Sequence, residues 1–123
     1  MPARHLITGR NAESYARKYL ERRGLKFLEA NYRCRPGEID LIMRDSSTVV
    51  FVEVRYRRNQ NYGGALESID HRKQRKLRAA AEHYLQRRRI GTGSPCRFDV
   101  VLITGAVNDA ADRAQVDWIS NAI

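Results

Sequence analysis

Two short arms that alternate apolar and polar side chains, joined by a polar turn, constrain this chain more than any other stretch. Pro36-Gly37-Glu38-Ile39-Asp40-Leu41-Ile42-Met43 and Val50-Phe51-Val52-Glu53-Val54-Arg55 are rich in apolar residues, and Asp45-Ser46-Ser47-Thr48 between them supplies turn chemistry. The pattern predicts a β-hairpin. Centring its turn between Ser46 and Ser47 sets Ile39 against Val54, Leu41 against Val52 and Met43 against Val50, one apolar face turned to the core. The other face then carries Asp40 opposite Glu53 and Glu38 opposite Arg55. A slip of one residue would mix the two faces, so the hydrophobic pattern fixes the parity.

Directly opposed carboxylates have Cβ atoms about 4.5–5.5 Å apart and repel one another. A shared proton or a bound cation relieves the repulsion, and oxygens converging beside Gly37 suit a hard divalent ion such as Mg²⁺ or Mn²⁺. A solvated face whose carboxylates are neutralised by nearby arginines accounts for the same pattern.

The 123 residues, 42% of them hydrophobic, fit one folded domain over 1–123 with a modest core. A net charge of +9 points first to nucleic acid and less directly to an anionic surface or an acidic partner. No apolar run approaches the ~18–20 residues of a membrane span, and the first residues carry no apolar stretch of signal-peptide length. Cys34 and Cys96 stand far apart in no CxxC pair, which reads as reduced thiols of a cytoplasmic protein; a Cys34–Cys96 disulfide is the alternative.

Along the chain, residues 1–8 read as a flexible arm. A helix is expected over 9–23, with Ala12, Tyr15, Ala16, Tyr19 and Leu20 as its buried stripe and Gly24 just past its end. Glu13, at the edge of that stripe, is either a first-turn dipole partner or a group pointed into a site. Residues 25–35 read as a strand before the hairpin. Residues 57–68 read as a mobile loop in which arginines and tyrosines interleave, a composition that suits phosphates and bases and equally suits solvent. A second helix is expected over 69–89, capped by Ser68 or Asp70, with Ile69, Leu77, Ala80, Ala81, Tyr84 and Leu85 inward. Arg72, Lys73, Arg75, Lys76, Arg78, Arg87, Arg88 and Arg89 crowd its other faces, with Glu82 as counterweight, and predict a nucleic-acid-facing helix. Residues 97–104 form an apolar strand reached by a parallel crossover, its Asp99 serving either the site or a basic neighbour. A short edge strand is expected over 114–119. The order is α-β-β-β-α-β-β, an α/β fold with a mixed sheet flanked by helices.

The pairing of Gly37-Glu38-Ile39-Asp40 with Val50-Phe51-Val52-Glu53-Val54-Arg55 resembles the paired-strand signature of the PD-(D/E)xK nucleases. With Ala12-Glu13, Tyr19-Leu20, Asn31-Tyr32-Arg33, the 73–85 helix and Arg97-Phe98-Asp99-Val100-Val101, the chain is similar over almost its whole length to the YraN-like family, small bacterial proteins related to Holliday junction resolvases. The resemblance implies a restriction-endonuclease-like three-layer core and metal-dependent cleavage of phosphodiester bonds, in DNA first, on branched or repair intermediates. It implies Mg²⁺ or Mn²⁺ held by Asp40, Glu53 and the Val54 carbonyl, with Glu13 as the first-helix glutamate of resolvase-like members. It also implies a homodimer as a possible assembly.

The superfamily's usual lysine two residues after the glutamate is replaced by Arg55. Arginine is a very poor general base but can clamp a phosphate, and Glu38 could hold it in an ion pair. The catalytic group on this reading is Asp40, Glu53 and Arg55; the nucleic acid contacts are Arg57, Arg58, Arg72, Lys73, Arg75 and Lys76. A non-catalytic nucleic-acid-binding or adaptor module with the same fold is the second reading, and a basic protein bound to an acidic partner the third.

Overall fold

The computed structural model describes residues 11–57, 70–91, 93–105 and 115–123. The elements are α1 (Ala12–Arg22), β1 (Lys26–Arg33), β2 (Glu38–Asp45), β3 (Thr48–Arg57), α2 (His71–Arg87), β4 (Cys96–Thr104) and β5 (Gln115–Ile119), the order expected from the sequence. The strands form one sheet in the order β1-β2-β3-β4-β5. Only β3 and β4 pair in parallel, joined by the crossover through α2; the other neighbours are antiparallel. The expected 1–8 arm, the 57–68 loop beyond Arg57, the helix start at 9–10 and the Ser68 cap lie outside the described residues.

Each helix ends where local chemistry stops it. In α1 the Leu25 N–H reaches the Leu20 carbonyl and the Gly24 N–H the Glu21 carbonyl, while Gly24 takes φ 97°. This paired closure needs a left-handed residue at Gly24, and Leu25 packs back into the same core cluster as Leu20. α2 starts on Asp70, whose carboxylate accepts the Lys73 N–H at 2.9 Å. It ends two residues earlier than the sequence suggests. Ile90 N–H bonds the Leu85 carbonyl, and Arg89 takes the left-handed position (φ 57°), so Arg88 and Arg89 close the helix instead of extending its basic face.

The hairpin has the expected register: Leu41 faces Val52, Met43 faces Val50 and Asp45 faces Thr48. Leu41, Met43, Val50 and Val52 meet Ala12, Ala16 and Leu20 of α1. Ile42, Val49 and Phe51 on the opposite face meet Leu77, Ala80, Ala81 and Tyr84 of α2. The sheet is therefore sandwiched between one helix on each side.

One expectation fails. Ile39 does not share a face with Leu41 and Val54; it packs with Tyr32 in the α2 cluster, whereas Val54 packs in the α1 cluster. The cause lies in both strands at once. Ala30 pairs with Leu41 towards α1, yet Tyr32 pairs with Ile39 towards α2. Residues two apart in a regular strand share a face. Between these pairs stands Asn31 at φ 52°, a left-handed conformation that asparagine tolerates. The β1–β2 ribbon rolls over at Asn31 and Asp40, and the regular β2–β3 ladder ends at Leu41 and Val52. Just before β2, Gly37 lies so close to α2 that a Cβ there would meet the Lys76 carbonyl at 3.3 Å.

Asp99 takes the structural role of the two open to it. It is fully buried and accepts from Arg97 Nε at 3.0 Å, Trp118 Nε1 at 2.9 Å and the Asn121 N–H at 2.8 Å, tying β5 and the following turn to β4. Replacing Gly24 by alanine forces a Cβ into the left-handed region although the surrounding space is open. Urea unfolding of Gly24→Ala should show a loss of about 1 kcal/mol with an unchanged m-value.

Candidate active site

The point where the β1–β2 ribbon rolls over is also where the acidic side chains gather. Asp40 sits at the roll, Glu53 is the first residue of β3 past its ladder with β2, and Glu13 lies in the first turn of α1. Two clefts border them. One, about 420 Å³, runs from Gly37 and Glu38 to Arg72, Lys73 and Lys76 at the start of α2; the other, about 350 Å³, runs from Ala12 and Glu13 to Arg55, Tyr56 and Arg57. Asp40, Glu53 and Lys73 line both.

The Asp40 carboxylate accepts the Val54 N–H at 2.8 Å, so the side chain itself holds the strands together where the ladder stops. Glu53, with a side chain only 8% exposed, has its Oε2 2.7 Å from Lys73 Nζ and 3.1 Å from Arg55 Nε. The Arg55 contact is an ion pair out of line with the N–H bond. Arg55 Nε and Nη2 are both buried and find no hydrogen-bond acceptor among the described residues. Glu38 does not hold Arg55, as the simple hairpin register suggests; it pairs with Arg33 at 2.8 Å on the exposed side. The ribbon roll explains this, because it ends the regular facing of β2 on β3 before Glu38 is reached.

Burial is the largest influence on Asp40, and the Glu53 charge is the next; with smaller contributions from Glu13 and Glu38 they push its pKa from the ordinary 3.8 to about 7 against the opposing Val54 N–H. Glu13 is also raised, chiefly by burial, while hydrogen bonds with Asn31 and Asp40 pull it back. Glu13 stands in the first turn of α1 and also lines the second cleft, a place compatible with both roles open to it.

The same chain segments match a family model, Uncharacterised protein family UPF0102, over residues 12–103. Curated relatives agree. A UPF0102 protein of Stutzerimonas stutzeri (strain A1501) is 54% identical over 115 residues, covering 94% of this chain and 92% of its own. Those of Pseudomonas syringae pv. syringae (strain B728a) and Alcanivorax borkumensis (strain ATCC 700651 / DSM 11573 / NCIMB 13689 / SK2) are each 50% identical, over 93% and 94% of this chain and 90% of their own. The chain belongs to UPF0102.

In this UPF0102 chain the sequence-predicted residues separate into three groups. Asp40, Glu53, Val54, Arg55 and Glu13 come together at one cleft, with Arg57 on its wall donating to the Tyr56 carbonyl. Arg72, Lys73 and Lys76 line the neighbouring cleft, while Arg75 stands exposed on α2 outside both. Arg58 lies outside the described residues, and Arg88 is spent on Glu29 at 2.6 Å. Two features escape a sequence reading. Asn31 contributes through its left-handed backbone, for which the only sequence signal is an asparagine inside a strand pattern. Lys73 reads as one of many surface cations, yet it is the ammonium on Glu53.

The donor set suits a hard divalent ion: two carboxylates from adjacent strands border one cleft, and magnesium commonly takes only one or two protein carboxylates beside water. Among the described residues no group of three His, Cys, Asp or Glu side chains has metal-holding geometry, so any such site would be carboxylate-poor. No helix among the described residues is long and apolar enough to cross a membrane.

The raised Asp40 makes a signed prediction. Folded protein holds this proton more tightly than unfolded chain, so the ionisation penalty is absent below about pH 4, grows as pH climbs towards 7 and is complete above it. Asp40→Asn should therefore stabilise the protein by up to roughly 3 kcal/mol at pH 8, with the gain vanishing near pH 4. Thermal or urea melts of both proteins across that range check it; a pH-independent difference would contradict the electrostatic origin.

Proposed function

We propose that this protein is a metal-dependent nuclease acting on DNA, with branched or repair intermediates as the first candidates, in the cytoplasm. The observation that carries the reading is the Asp40–Glu53 pair: two carboxylates that line both clefts, beside Arg72, Lys73 and Lys76 in one and Arg55, Arg57 and Lys73 in the other. A protein that only held a phosphate backbone would gain nothing from acidic groups there, because they repel it. The free thiols of Cys34 and Cys96 support a reducing compartment.

A divalent ion bound by Asp40 and Glu53, with the Val54 carbonyl and Glu13 close by, would polarise the scissile phosphate and lower the pKa of attacking water. The chain's own groups do the rest. Arg55 lines the cleft beside Glu53, and its guanidinium charge suits a phosphate oxygen whose charge grows in the transition state. Arg57, Arg72 and Lys76 line the two clefts on either side and would hold the flanking backbone. Cations in the first turn of α2 oppose the helix dipole, a cost that an anion lying across that end offsets.

A second reading is a non-catalytic nucleic-acid-binding module. One observation favours it: Glu53 is already neutralised by Lys73 and Arg55, and arginine cannot act as the base.

Nicked and branched DNA incubated with the full chain and Mg²⁺ or Mn²⁺ separates the two. Cleavage by the wild type, reduced at least about 100-fold in Asp40→Ala and in Glu53→Ala, is the expected result. Equal cleavage by wild type and variants would trace the activity to a contaminant and remove the nuclease reading; tight binding without cleavage would leave the second. DNA affinity should fall steeply with salt, about tenfold or more between 50 and 200 mM, under either reading.

A further inference from the structure

Resting on that reading of the carboxylate pair, we infer that Lys73 is a resident counter-ion which a divalent cation must displace, so that α2 competes with the metal for Glu53. Three observations converge on this. The Lys73 ammonium sits on the same carboxylate the metal would need, 2.7 Å from Glu53 Oε2, the closer of the two cations there. Its exposure differs from that of its companion: the Lys73 side chain is 42% exposed, with room for its four-carbon stem to swing, whereas Arg55 is 15% exposed. Its position is the junction, since Lys73 shares with Asp40 and Glu53 the lining of both clefts.

The backbone of Lys73 stays fixed in either state. Its N–H is tied to the Asp70 carboxylate that caps α2, so only the side chain needs to swing. A dication supplies twice the charge of the ammonium to the same oxygens. Once displaced, the ammonium is released from Glu53 at the junction of the two clefts, where a phosphate backbone would cross, and there it turns from counter-ion into phosphate contact. Lys73 thus holds the empty site together at low metal and hands its charge to the substrate when metal arrives. A fixed arginine at the same position would keep its contact with Glu53 and oppose the exchange.

Titration calorimetry of Mn²⁺ into the full chain, without nucleic acid, tests the exchange. Wild type, Lys73→Gln and Lys73→Arg are compared, with Asp40→Ala as the control for specific binding. Removing the competing charge should tighten Mn²⁺ binding by about tenfold in Lys73→Gln, and Lys73→Arg should bind no better than wild type. Melting provides a second readout. Lys73→Gln should melt below wild type in chelator, because Glu53 loses a partner, and at or above it in saturating Mn²⁺. Unchanged or weaker Mn²⁺ binding in Lys73→Gln, with Asp40-dependent binding present in wild type, would overturn the counter-ion role and leave the carboxylate site standing. No Asp40-dependent Mn²⁺ binding in any variant would overturn the metal site itself and the inference with it.

Discussion

The structure depends on holding two carboxylates close together in a partly dry place at the end of a β-sheet. Asp40 and Glu53 cannot both be charged there without compensation, and three groups supply it: the Val54 N–H on Asp40, and Lys73 and Arg55 on Glu53. The compensation is uneven. Glu53 receives two cations, Asp40 a single N–H, and the result is an Asp40 that holds its proton to about pH 7. This uneven compensation is the physical content behind the metal proposal.

The scaffold is arranged to create that crowding. The roll of the β1–β2 ribbon at Asn31 places Ile39 with α2 and Leu41 with α1, so successive parts of the same strand anchor in opposite cores. Asp40, caught between them, reaches both clefts. Gly37 lets the start of β2 press against Lys76, which keeps the first turn of α2 beside the acidic pair. At the other side of the sheet Asp99 is satisfied by Arg97, Trp118 and Asn121, so a buried carboxylate there is structural and carries no unbalanced charge.

Much of this was legible before any coordinates. The alternation in the two arms and the Ser46–Ser47 turn fixed the register from Leu41–Val52 outward, because a slip would have exposed one core face. The helical stripe of α1, its glycine stop and the parallel crossover followed from spacing and local chemistry, while the cap of α2 stayed open between Ser68 and Asp70 until the structure showed Asp70. Periodicity fails where a single residue, Asn31, adopts a conformation its type only permits. Asparagine does not announce a left-handed turn inside a strand, so the displacement of Ile39 and the separation of Glu38 from Arg55 were invisible. The fate of α2's cations was equally hidden, since nothing in the sequence says what stands across from Lys73, Arg75 or Arg88.

The amino-acid sequence by itself determined the family, the order of elements and the hairpin register from Leu41–Val52 outward, because these rest on periodicity and on contacts between near neighbours. The tertiary structure alone decided that Lys73 meets Glu53 and Arg88 meets Glu29, because those pairs join residues 20 and 59 positions apart. Charge in this protein is specified locally, and its partners are chosen by packing.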